Sequence, residues 1–192
     1  MSEIWVVRHG QTAWALTGQH TGSTDIPLTE EGRAEAAAVG RYLAGRKFAL
    51  VLVSPLQRAR ESCRIAGYDA VAQVNPDLRE WSYGRYEGLT SAEVQAGRPG
   101  WSLWDDGPEG GERVEDVAAR AERVIARAEA AGGDVLLFAH GHVLRILAAR
   151  WLGLPPNAGR LFALGTASLG MLGHERESRV LARWNIPTVT AC

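Results

Sequence analysis

IWVVRHG, residues 4–10, is a run of four apolar residues closed by an arginine, a histidine and a glycine. An unbroken apolar run of that length fits a strand buried on both faces, as in a parallel sheet. The same form returns at Leu50–Val53, Ala72–Val74 and Val135–Ala139. Helical patterns fill the intervals. One starts near Thr29, whose hydroxyl can cap a first turn made acidic by Glu30 and Glu31, and continues through Ala34, Ala37, Ala38 and Leu43. Others cover roughly 56–66, 113–131 and 143–152, the last stopping before Pro155-Pro156. Thr90-Ser91-Ala92-Glu93 has the spacing of a capping box and predicts a short helix. Near the end, Ser168–Leu172 and Val180–Asn185 flank the polar stretch HERESR and read as a hairpin. Alternating strands and helices predict an α/β fold: a three-layer α/β/α sandwich with a mainly parallel sheet and an antiparallel C-terminal addition. No repeat or linker divides the chain, so residues 1–192 are expected to form one domain.

Composition narrows the partners. Of 192 residues, 46 % are hydrophobic and 22 % charged, which argues against disorder. Lys plus Arg is 21 against 22 Asp plus Glu, so there is no basic excess to recruit nucleic acid. No stretch approaches the ~18 consecutive apolar residues of a membrane span, and no secretory leader is evident. Cys63 and Cys192 form neither a disulfide framework nor a CxxC site and suit a reducing cytoplasm. Seven tryptophans and the terminal hairpin permit a homodimer without demanding one.

In open parallel sheets, ligands sit beyond the carboxyl ends of the strands. Here those ends carry Arg8-His9-Gly10, Ser54-Pro55-Leu56-Gln57-Arg58 and His140-Gly141-His142. The grouping delivers two guanidinium forks, suited to bidentate pairing with phosphate oxygens, and histidines able to act as nucleophiles. Gly10 and Gly141 let the backbone approach an anion, and helices starting after Pro55 and Gly141 would aim their positive ends there. Taken alone, an Arg-His pair is more often a surface or satisfied core pair. His140 and His142 could also begin a metal site. No HExxH and no carboxylate cluster at ligand spacing supports that, and no metal or cofactor is expected. Asp105-Asp106 look like solvated turn residues, and His20 and His174 like ordinary polar positions, with His20 in the loop that follows the Arg8-His9 strand.

VVRHGQTAW at 6–14, TGSTDIPLTEEGRAEA at 21–36, SPLQRARES at 54–62, REWSYGRYEGL at 79–89, GGE at 110–112 and FAHGHVLR at 138–145 together resemble the histidine phosphatase superfamily, also called phosphoglycerate mutase-like. The blocks run in family order over nearly the whole chain. The resemblance implies the fold already read and a metal-independent phosphatase. It implies His9 as the nucleophile that becomes phosphohistidine, and Arg8, Arg58 and His140 as the groups holding the phosphoryl oxygens. Glu80 is then the proton donor to the leaving oxygen, with Thr21 and Gly22 on the substrate pocket. The family often has Asn after the Trp of the first block; here Ala15 stands there, so one side-chain phosphate donor is absent, with Thr12 or Thr21 as replacements.

For that chemistry His9 must be a neutral imidazole, and Arg8 and Arg58 would disfavour a second positive charge on it. Glu80 must carry a proton, which desolvation by Trp81 and Tyr83 would favour. Mutases of the family carry a longer, more basic insertion between the acid block and the Gly-Glu block. Here that segment has Arg85 and Arg98 against Glu87, Glu93, Asp105, Asp106 and Glu109, with Trp101 and Trp104 as a partly apolar wall or as plain packing. The expected substrate is therefore a small phosphate ester of sugar phosphate or phosphoglycerate type. A phosphoglycerate mutase and a non-catalytic phosphate-binding module are the alternatives.

Overall fold

The computed structural model describes residues 2–188; Cys192 lies outside them. Six strands form one sheet: β1 (Ile4–Arg8), β2 (Leu50–Val53), β3 (Ala72–Val74), β4 (Val135–Ala139), β5 (Leu169–Glu175) and β6 (Ser178–Ile186). Their order is β3-β2-β4-β1-β5-β6. The first four are parallel to one another, and the β5–β6 hairpin adds antiparallel beside β1.

Helices α1 (Ala13–Thr17), α2 (Glu30–Leu43), α3 (Gln57–Ile65), α4 (Ser91–Gly97), α5 (Leu103–Asp106), α6 (Val114–Glu129) and α7 (Gly141–Trp151) connect the strands. The strand pleat divides each run between two cores. Ile4, Val6, Leu137 and Ala139 face α6 and α7, where Val117, Val124, Val143 and Ile146 pack against them. Trp5, Val7, Leu136 and Phe138 face α2 and α3, against Val39, Leu43, Ala59 and Cys63. Each fully buried Val or Leu stabilises by ~1.5–3 kcal/mol, which is why β1 and β4 are apolar on both faces. This is the three-layer α/β/α sandwich expected from the alternation.

The caps read from sequence are formed. Thr29 Oγ1 accepts from the Gly32 amide at 3.0 Å, and Thr90 and Glu93 make the reciprocal pair of a capping box. Helix α7 begins at Gly141, two residues before the expected start, and its cap residue His140 makes no side-chain cap bond. The hairpin strands also run further than expected, converting most of HERESR to strand around a tight turn where Arg176 takes a φ of 55°.

Candidate active site

Strand register builds the site. Arg8 pairs with Ala139 and Val53 with Phe138, so the residues just beyond these strands, His9, His140 and Ser54, come together. The His9 and His140 rings lie 5.1 Å apart, centroid to centroid, edge to face.

His9 Nδ1 lies 2.7 Å from the carbonyl of Gly10. A carbonyl can only accept, so Nδ1 carries the proton and Nε2 keeps its lone pair. Burial is the largest influence on His9, followed by the charges of Arg58 and Arg8; together they hold the imidazole well below its ordinary pKa, and it is neutral. His140 is held low by the same burial and charges. The Ser54 hydroxyl already accepts from the Leu56 amide and lies 2.7 Å from His140 Nε2. Donating its own proton to Nε2 leaves the other nitrogen, Nδ1, as a buried N–H.

Among the described residues, only four buried side-chain nitrogens or oxygens have no partner in the protein. Three are Arg8 Nε, Arg58 Nε and His140 Nδ1; the fourth, His174 Nδ1, is in the hairpin, where His174 packs on Trp151. A buried donor without an acceptor costs ~1–3 kcal/mol. Three of them near one neutral imidazole make a place able to receive an oxyanion. The rest of each guanidinium is anchored: Arg8 Nη1 donates to Leu164 O at 2.6 Å, and Arg58 to the carbonyls of Thr24, Thr21 and Gly22.

Glu80 is 7 % exposed and binds the start of α7 from across the fold. Its Oε1 accepts from the Trp81 and Val143 amides and its Oε2 from His142, all at 2.9 Å. This explains the early start of α7: Glu80 supplies the cap that His140 does not. It also corrects the expectation that this helix end faces an anion, since two of its first amides are spent on Glu80. The first amide of α3 is likewise taken by Asp25.

A cleft of about 400 Å³ is lined by Arg8, His9, Glu80, Thr21 and Gly141 among others. Arg58 and His140 lie behind it, fully buried. Gly10 differs from expectation, and Gly22, expected on the substrate pocket, lines a neighbouring cavity instead of this cleft. The Gly10 amide donates to Ser62 Oγ and the Gly22 amide to Glu87, so neither N–H is free for an anion. Gly10 is required for another reason: a Cβ there would sit 2.1 Å from the Gly32 carbonyl oxygen. Gly141 makes room for Arg8, whose guanidinium carbon would lie 3.4 Å from an added Cβ. The Thr21 hydroxyl donates to Gln19 O, and Thr12 Oγ1 caps α1 by accepting from Ala15 N. His20, tilted over Tyr83 and edge to face with Trp101, lines the cleft with Trp101 and Trp104. Asp105 and Asp106 belong to α5, paired with Arg160 and Arg98. No group of three or more His, Cys, Asp or Glu among the described residues is placed to hold a metal ion.

Several supporting residues carry no local signal in the sequence. Ser62 receives the Gly10 amide and donates to Arg58 O, tying the His9 loop to the helix that carries Arg58. Arg120 grips Glu112 through two nitrogens and donates to the carbonyls of Asp77, Arg79 and Glu80. Glu112 in turn accepts from the Trp81 indole and the Ser82 amide. The Gly-Gly-Glu block thus clamps the segment that presents Glu80. Tyr83 Oη lies 2.6 Å from His142 Nδ1, and Arg145 reaches the same cleft from α7.

The family model of the histidine phosphatase superfamily (branch 1) matches residues 4–187. The chain belongs to this superfamily. This histidine phosphatase is similar to an acid phosphatase of Mycobacterium tuberculosis, 39 % identical over 183 residues that cover 93 % of this chain and 90 % of that protein. A glucosyl-3-phosphoglycerate phosphatase of the same organism is 37 % identical over 188 residues, 88 % of this chain and 84 % of that one. A solved structure of an open reading frame product from Mycobacterium tuberculosis superposes with a TM-score of 0.93 at 36 % identity, covering 98 % of this chain and 99 % of that one. Family and relatives make this histidine phosphatase a hydrolase of phosphate monoesters. No helix among the described residues is long and apolar enough to cross a membrane.

Proposed function

We propose that this histidine phosphatase hydrolyses small phosphate esters of sugar phosphate or phosphoglycerate type through a phosphohistidine on His9, without a metal ion. The observation that carries the reading is the neutral His9 ring, its Nε2 unprotonated, beside three buried N–H donors that lack acceptors. His9 Nε2 attacks phosphorus as the ester P–O bond breaks, and Glu80 gives its proton to the departing oxygen. Glu80 then takes a proton from water, whose oxygen attacks the phosphohistidine; the P–N bond breaks and inorganic phosphate leaves. Oε1 of Glu80 already accepts two amides and Oε2 only one, so Oε2 keeps a lone pair for the transferable proton. Arg8, Arg58 and His140 supply the positioned positive charge and N–H groups that a loose phosphoryl transition state requires.

The phosphatase reading is favoured over a mutase by the segment between Glu80 and Gly111. Its two arginines are both neutralised locally, Arg85 by Glu109 and Arg98 by Asp106. Neither is free to hold a bisphosphorylated intermediate product. The test is turnover of an aryl phosphate and a panel of sugar phosphates in excess chelator. Turnover that persists with chelator and disappears in His9→Ala supports the proposal. Turnover restored only by added metal, or dependent on a bisphosphoglycerate primer, overturns it.

A further inference from the structure

We propose that Glu87 is the positioning residue for Arg58: its carboxylate, working through the loop at 21–24, holds the Arg58 guanidinium in the plane in which its free Nε can meet a phosphoryl oxygen. The proposal rests on the phosphatase reading above and adds a residue that acts on the phosphate cradle without touching substrate.

Glu87 is surrounded by donors and has no cation. Its Oε1 accepts from the Ser23 amide at 2.9 Å and the Tyr83 amide at 3.2 Å. Its Oε2 accepts from the Gly22 and Thr24 amides, both at 3.2 Å, and from the Thr24 hydroxyl at 2.8 Å. Among the described residues it is in no ion pair. Gly22 is tied to this arrangement, since a Cβ there would lie 2.2 Å from Glu87 Oε1 and 2.3 Å from the Trp81 carbonyl oxygen. A carboxylate that draws in consecutive amides through charge-assisted bonds fixes the orientation of every peptide between residues 21 and 24.

On the other side of that loop is Arg58. Its Nη2 donates to Thr21 O at 3.1 Å and Gly22 O at 3.0 Å, and its Nη1 to Thr24 O at 3.0 Å. In a planar trans peptide the N–H and C=O point opposite ways. The peptide joining Thr21 to Gly22 and the one joining Gly22 to Ser23 therefore each run from the Glu87 carboxylate to the Arg58 guanidinium. Their dipoles are aligned between a negative and a positive group, and such chains strengthen one another at low dielectric. The direct ion pair of Arg58 is weak by comparison: Asp25 lies 3.9 Å from Nη1, with its side chain 44 % exposed. Holding both Nη atoms on carbonyls sets the plane of the fork, and Nε, buried and without a protein partner, is set with it. Through the Tyr83 amide Glu87 also touches the segment that presents Glu80, a second route by which it could act.

Glu87→Gln keeps the shape of the side chain and removes its charge. Binding of inorganic phosphate, read by calorimetry, should weaken by about tenfold. kcat/KM should fall by the same factor for an aryl and an alkyl phosphate, because the cradle grips the phosphoryl group of both. A larger loss for the alkyl ester would put the effect on Glu80 and overturn the proposal. Arg58→Lys keeps a charge but loses the fork, so adding Glu87→Gln to it should cost no more than about a further twofold in kcat/KM. A general loosening of the fold would instead multiply the two losses. Thr24→Val, which removes only the hydroxyl bond to Glu87, should show the same pattern at about threefold and serves if Glu87→Gln does not fold. Phosphate affinity unchanged in both variants, or losses that multiply with Arg58→Lys, would overturn the proposal. Phosphate binding that depends on Glu87 in an enzyme without turnover would strike the mechanism and leave the positioning role standing; a wild type that binds no phosphate would strike both.

Discussion

Lowering the pH should destabilise this fold well before its carboxylates titrate. His9 and His140 are buried, and burial with the neighbouring guanidinium charges keeps both neutral in the folded state. In the unfolded chain each regains an ordinary pKa near 6.5. The unfolded state therefore binds more protons below that value, and stability falls as pH falls through it. His142 is held low in the same way, by burial first and then by the Arg145 charge. One unit below, at about pH 5.5, each imidazole contributes a loss of about 1.4 kcal/mol, or about 4 kcal/mol for the three. Carboxylates titrate mainly below about pH 5 and add little in this window. Urea unfolding at about pH 7.5 and about pH 5.5 measures the difference directly, and His140→Gln should remove roughly a third of it. Equal stability at the two pH values would refute the claim that these rings are held neutral. In the proposed mechanism the functional counterpart is that His9 stays a competent nucleophile at acid pH, so another group must set the acid limb of kcat/KM.

Glu80→Gln should slow hydrolysis of alkyl phosphates far more than of aryl phosphates, because only the former need a proton on the leaving oxygen; parallel losses in steady-state kinetics would remove the acid role. The same variant turns one acceptor into a donor facing an amide, so it should also cost about 1–3 kcal/mol in urea unfolding. Gly10→Ala places a Cβ against the Gly32 backbone and must push His9 out of line by something near an ångström. Turnover should fall on the order of a hundredfold even where the protein still folds by circular dichroism, and near-normal kcat would contradict the tight packing of that loop.

Strand ends were the readable part of the sequence. β1, β2 and β4 are apolar without interruption because both faces are covered, and the Arg, His and Ser that follow them mark the rim by contrast. Helix α2 was legible through its Thr29 cap. Helices α1 and α5, of five and four residues, are too short for a 3.6-residue pattern to appear. The start of α7 was missed because its cap is a carboxylate 62 positions away rather than a neighbour. The role of Gly10 is hidden for a related reason. A glycine after a strand-end histidine invites an anion-binding amide, but Ser62, 52 positions away, takes that amide. Arg145 is likewise hidden: a lone arginine in an apolar helix pattern gives no sign that Trp104 and the carbonyls of Gly159 and Arg160 hold it at the cleft wall.

The most direct measurement is rapid-quench mass spectrometry at alkaline pH during turnover of an aryl phosphate. One acid-labile phosphoryl group should appear on the peptide containing His9, within a single turnover and at a rate no slower than product release. Phosphate found on another residue, or turnover with no phosphorylated enzyme at any time point, would contradict transfer through the His9 imidazole.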